Sequence, residues 1–149
     1  MKKLTFLFIV ICFTTFLQAQ TSNTKQQQEA QQTIIKMFDA LSNRDTINLK
    51  AYCTSDVTFY ECGEIWPLDT LISKAITTNT STDFKRTNTF DFITTTTDKT
   101  MAWVTYRLNS VINKDGKQIT IEWLETIVLS KEKKQWKVKH LHSTLIKKT

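Results

Sequence analysis

The chain is predicted to be an α+β domain, with three N-terminal helices packed on one strongly bent antiparallel sheet. Three observations predict it. Apolar residues recur at helical spacing between residues 29 and 76 and nowhere later. From Phe84 onward the sequence consists of strand-length runs rich in β-branched and aromatic residues: 84–97, 100–113, 118–130 and a final run from Trp136. The connections 113–116, carrying Asp115-Gly116, and 131–134 are short turns, which join neighbouring strands antiparallel.

Ahead of the domain, Lys2 and Lys3 precede an apolar run from Leu4 to Leu17, closed by Gln18-Ala19-Gln20. Residues 1–19 read as a signal peptide. The run is roughly 14 residues, short of the ~20 that cross a bilayer, and Cys12 lies inside it without a lipobox. The expected destination is therefore secreted or periplasmic, with no membrane span after cleavage. Residues 20–28 are polar and glutamine-rich and are expected to form a disordered mature N-terminus, leaving 29–149 as a single domain.

Within that domain, Ala30, Ile34, Met37, Phe38 and Leu41 follow the spacing of a first helix that stops at 42–45. Asp45 or Thr46 caps a short second helix through Tyr52. The run 56–62 is a short strand ended by Gly63, with Val57, Phe59 and Glu61 on one side. Pro67 suits the start of a third helix carrying Leu68, Leu71, Ile72, Ala75 and Ile76, and Trp66 falls in a loop placed to act as a lid.

Loss of Lys2 and Lys3 lowers the formal charge from +6 to 18 − 14 = +4. Most of the excess lies in Lys131, Lys133, Lys134, Lys137, Lys139, Lys147 and Lys148, which reads as a solvated face that discourages aggregation. Arg44, Arg86 and Arg107 are scattered, so no nucleic-acid partner is expected. Gly63 and Gly116 are the only glycines, which excludes a phosphate-binding glycine loop, and no nucleophile elbow is present. Cys53 and Cys62 either bridge or remain thiols, and spacing decides neither.

Candidate chemistry concentrates on two strands. With a two-residue period, Trp136, Val138, His140 and His142 share one face and Lys137, Lys139, Leu141 and Ser143 the other, so the first set is expected to wall a pocket. Two imidazoles there suit proton transfer or metal ligation. A metal needs further donors, and only Cys53, Cys62 and unplaced carboxylates remain, so no metal and no cofactor are predicted. Glu125 shares its strand face with Ile119, Ile121, Trp123, Ile127 and Leu129, where a carboxylate must find a partner or take up a proton. It forms an acid–base pair with His142 if both face one cavity. Otherwise it meets Arg107 across the sheet or lies at a subunit interface. Tyr60, Trp66, Trp103, Tyr106, Trp123 and Trp136 supply either aromatic core or the wall of a site for a flat apolar molecule.

Four segments, IIKMFDALSNRD (34–45), YCTSDVTFYECG (52–63), AWVTYRL (102–108) and QWKVKHLHST (135–144), in this order of elements, give the chain a resemblance to the nuclear transport factor 2-like superfamily and its SnoaL-like and ketosteroid isomerase-like small domains. The resemblance runs from about Glu29 to Leu145. It implies a cone-shaped α+β domain, often a homodimer through the outer sheet face, with a cavity between the first helix and the concave face. Members include isomerases, cyclases, dehydratases, binding proteins and scaffolds, so the fold leaves function open. Three expectations follow. The first is a binder of a small, largely apolar ligand, lined by Tyr60, Trp66, Trp103, Trp123 and Trp136. The second is a cofactor-independent isomerase, cyclase or hydratase using Glu125, His142 and His140. The third is a dimeric scaffold with a vestigial cavity.

Overall fold

The computed structural model describes residues 24–149, so the expected signal peptide and residues 20–23 lie outside the described part. The first helix, α1 (Lys25–Ser42), begins inside the stretch expected to be disordered. Two local devices account for this. Thr24 and Gln27 form a reciprocal capping box that satisfies two orphan amides of the first turn. The glutamines then tie the helix to the sheet: Gln27 Nε2 donates to the Thr95 carbonyl at 2.7 Å, and Gln31 Nε2 to Thr95 Oγ1 at 2.8 Å. Ala30, Ile34, Met37, Phe38 and Leu41 form its buried stripe, as the spacing predicts.

Helix α2 (Thr46–Ala51) is capped by Asp45, whose carboxylate accepts from the Asn48 amide at 2.9 Å. Strand β1 (Cys53–Glu61) turns through Cys62 and Gly63, both at positive φ, into a short strand β2 (Glu64–Pro67) where the sequence suggests only a loop. Helix α3 (Leu68–Ile72) follows Pro67 and runs into a π-helical turn, Ser73–Thr77. Four long strands complete the domain: β3 (Lys85–Thr97), β4 (Met101–Lys114), β5 (Lys117–Glu132) and β6 (Gln135–Lys148).

The six strands form one sheet in the order β2-β1-β6-β5-β4-β3. Every junction is antiparallel except β1 beside β6, which is parallel because the helical segment between β2 and β3 carries the chain across the sheet. Side chains of α1 and of the concave face make the core, with Ile34, Met37 and Phe38 meeting Val57, Phe59, Val104, Tyr106, Leu108, Ile127, Leu129, Val138 and Leu141. Cys53 is buried in it, and its thiol is pushed up to about 12 by that burial; Cys62 is an exposed thiol in the β1–β2 turn.

One irregularity in this sheet decides the face of the C-terminal strand. Val138 pairs with Leu129 and His140 with Val128, so Lys139 has no partner on β5. The same place is irregular toward β1, where the pairing moves from Cys53–Val138 to Thr58–His140. An extra residue reverses the in/out alternation beyond it. Trp136 and Val138 point inward before this bulge; after it Leu141 and Ser143 do, and His140 and His142 turn outward. The expectation that both histidines share the inner face with Trp136 is corrected on this point, because a strict two-residue period does not survive the bulge.

Candidate functional site

Transverse rows of paired residues cross the concave face, and one of them is polar. Tyr106 on β4 pairs with Glu125 on β5, and Glu125 with Ser143 on β6; Glu61, at the end of β1, lies beside Ser143 on the same face. Apolar rows flank it, Val104–Ile127–Leu141 on one side and Leu108–Trp123–Leu145 on the other. Glu125 is 3% exposed and Tyr106 wholly buried, whereas Glu61 and Trp123 are half-buried. The placement of Glu125 with Trp123 and Ile127 on an inward face therefore follows the sequence pattern.

The electrostatics of this row are those of a carboxyl group short of partners. Ser143 Oγ donates to Glu125 Oε1 at 3.2 Å. Tyr106 Oη is near enough to favour the ionised carboxylate, yet neither it nor Glu125 Oε2 makes a hydrogen bond of good geometry, and both are sealed from solvent. Burial pushes Glu125 up to about 7, helped by the negative Glu61 and opposed by Tyr106, Arg86 and Ser143. Burial also raises Glu61, against the Ser143 hydroxyl and Arg86, and raises the Tyr106 phenol well above its ordinary value, with Glu125 adding to it.

Arg86 supplies the positive charge. Its Nε donates to Asn88 Oδ1 at 2.9 Å and to Ser110 Oγ at 3.2 Å, and its Nη2 to Ser110 Oγ at 3.1 Å. Asn88 Nδ2 donates in turn to Ser42 Oγ on α1 at 2.9 Å. The guanidinium carbon lies 5.5 Å from the ring centres of both Phe38 and Trp123. Burial weakens the guanidinium's hold on its proton, while Glu125 and Glu61 strengthen it. Phe38, Phe90, Phe92 and Tyr106 form a continuous aromatic wall above the row, with centroid distances of 5.5 to 6.5 Å.

Arg86 was not among the residues that the sequence singled out. The signal was the alternation Arg86, Asn88, Phe90, Phe92 on one face of the third long run against Lys85, Thr87, Thr89 and Asp91 on the other. The strand period puts Glu61 on the Val57–Phe59 face.

The remaining expected site residues lie elsewhere. Tyr60, His140, His142 and Trp103 occupy the outer face, Tyr60 39% and Trp103 48% exposed. The predicted Glu125–His142 acid–base pair is therefore not assembled, since the sheet separates the two. Arg107 is also outside, opposite Leu124, so it does not neutralise Glu125. Trp136 is inward but far from the row, its ring under Lys131 at 4.8 Å. Trp66 sits half-buried on β2, donating from Nε1 to Glu64 at 2.6 Å with Lys74 4.4 Å above its ring. Two broad surface grooves, about 550 Å³ along β1 beside Pro67 and Leu68 and about 470 Å³ between α1 and the β5–β6 turn, contain neither Glu125 nor Tyr106. Both mix charged and hydroxyl groups with apolar side chains, Cys53, Val57, Pro67 and Leu68 in the first and Ala51, Tyr52 and Trp136 in the second, and neither reaches the interior row.

A raised carboxyl pKa makes stability fall as pH rises. The folded state holds a proton on Glu125 that the unfolded chain has already released, so the penalty grows between about pH 4.5 and pH 7 and is complete above it. Its size is on the order of 3 kcal/mol. In urea unfolding across this window, Glu125→Gln is expected to flatten most of the slope and to exceed the parent protein in stability at about pH 8, leaving the smaller contribution of Glu61.

A family model described as a SnoaL-like domain matches residues 30–146. Among solved structures, an NTF2-like protein from Cytophaga hutchinsonii superposes with a TM-score of 0.70 at 17% identity, over 83% of this chain and 100% of that one. A ketosteroid isomerase-like protein from Erwinia carotovora atroseptica gives 0.67 at 14% identity, over 84% and 99%. The CamKII hub homology domain of Chlamydamonas reinhardtii gives 0.71 at 20% identity, over 83% and 100%. At these identities the likeness is one of fold. A search of curated proteins finds no match.

Proposed function

We propose, for a chain that belongs to the SnoaL-like domain family, that it binds a small molecule with an apolar body and one polar end, beneath α1 at the Tyr106–Glu125 row. The observation that carries this reading is the pair of sealed, unpartnered oxygens, Tyr106 Oη and Glu125 Oε2. The two oxygens lie close enough to interact but without good hydrogen-bond geometry, and a buried polar atom left so costs up to about 1–3 kcal/mol, which a ligand placed between them would recover. The half-buried Phe90, Phe92 and Trp123 offer the apolar surround and the side from which a guest would enter. Thermal-shift measurement with 2-naphthol against naphthalene separates the polar contact from simple apolar filling. Stabilisation by the phenol alone is expected, with Tyr106→Phe weakening its binding by roughly tenfold; equal effects of the two compounds would sink the reading.

A second reading, a cofactor-independent isomerase, cyclase or hydratase, is favoured by the position of Glu125 near neutrality. Such a carboxyl exchanges protons in both directions at working pH. Arg86 would stabilise developing negative charge, and His142 has no part in it from the outer face. Exchange of the α-protons of a small cyclic ketone in deuterated water, followed by NMR, is expected to be accelerated by the protein and abolished in Glu125→Gln; an unchanged rate in the variant removes the catalytic role.

The expected leader supports an exported protein, and a mature terminus at about Gln20 by mass spectrometry checks it. Among the described residues no helix is long and apolar enough to cross a membrane. Membership of the family supports a homodimer, and light scattering at micromolar concentration reads its mass.

A further inference from the structure

We infer that His140 and His142 form a two-imidazole chelate on the outer face of the sheet, for a divalent transition-metal ion of the zinc, nickel or copper class. The bulge at Lys139 turns both rings out on one surface, two residues apart along β6. That spacing is about 6.7 Å along a strand, which two imidazoles can close onto one ion with metal–nitrogen bonds of about 2.0–2.1 Å. His140 opposes Thr58 and Val128, and His142 opposes Tyr60 and Thr126. No carboxylate or lysine stands in those rows to pair with an imidazolium. Lys139, next to His140 in the chain, is joined to Asp56 at 2.7 Å.

The first ring is already oriented for the purpose. Thr58 Oγ1 and His140 Nδ1 lie 3.0 Å apart; with Nδ1–H donating to that hydroxyl, the lone pair on Nε2 is free for an ion. Tyr60 braces both imidazoles edge-on, its ring centre 4.7 Å from His140 and 6.1 Å from His142. Among the described residues no cluster of three or more His, Cys, Asp or Glu side chains is placed to hold an ion, so the protein supplies two donors and water the rest. This is a weak, exchangeable site, selected by imidazole for the later first-row metals over magnesium or calcium. It lies across the sheet from Glu125 and does not rest on the ligand reading.

Calorimetric titration of the untagged protein with zinc and nickel chlorides at about pH 7.5 tests it. Saturable binding of one ion per chain is expected, weakened by roughly tenfold or more in His140→Asn and in His142→Asn. Copper(II) added to the parent protein is expected to give an electron paramagnetic resonance signal with two nitrogen donors, reduced to one in each variant. Both positions face away from the core, so the fold is expected to stay in place, which the variants' thermal unfolding verifies. Absence of saturable binding up to the order of 1 mM, or affinity unchanged in both variants, overturns the assignment.

Discussion

Lys139 has no partner on β5, and the faces on which β6 presents its histidines, Leu141 and Ser143 follow from that one unpaired residue. A strand alternates its side chains strictly, so an uninterrupted β6 would send His140 and His142 inward with Trp136 and Val138, and Leu141 and Ser143 to solvent. Burying two imidazoles without partners while exposing a core leucine would cost several kcal/mol. The bulge avoids this by reversing the alternation, placing Leu141 under α1 and Ser143 within reach of Glu125. The parallel strand β1 accommodates the same irregularity, with its own pairing to β6 skipping from Cys53 to Thr58. Bulges re-aim side chains next to functional surfaces, and here one bulge serves both faces at once.

The inner row shows how a carboxyl group is tolerated in such a place. Desolvation is the largest influence on Glu125, and the favourable contributions of Tyr106, Arg86 and Ser143 do not cancel it, which leaves the group near neutrality. Arg86 is itself committed: two of its nitrogens engage Asn88 and Ser110, and its guanidinium packs between Phe38 and Trp123. The cation is thus fixed by side chains from α1, β3, β4 and β5 together, which makes it a rigid electrostatic reference for both Glu61 and Glu125 rather than a mobile counter-ion.

Much of this fold was legible in the sequence because its signals are local. The helical stripe from Ala30 to Leu41, the Asp115-Gly116 turn and the long β-branched runs each declare themselves within a few residues, and the inward face of Glu125 follows from the isoleucines around it. What was not legible depends on partners distant in sequence. The bulge exists only in the pairing of β6 with β5 and β1, so the period of WKVKHLHST misplaces its own histidines. Residues 25–28 are polar enough to read as disordered, and become helix because Gln27 and Gln31 find Thr95, more than sixty positions away. Arg86 reads as solvated because a long cationic side chain usually is; its burial needs Phe38 and Trp123 from other elements.

The charges of the inner row also narrow what it can accept. Arg86 is shared between Glu125 and Glu61, and burial opposes ionisation of both carboxyl groups. A guest bearing a carboxylate or phosphate would add a second negative charge there, and would be admitted only by forcing a proton onto Glu125. A neutral guest carries no such penalty. Its hydroxyl can donate to Glu125 Oε2, or its carbonyl can accept from Tyr106 Oη, and either contact satisfies an oxygen that the folded chain leaves unpaired. On the proposed reading, the desolvation that raises Glu125 would favour an uncharged, hydrogen-bonding guest over an anion.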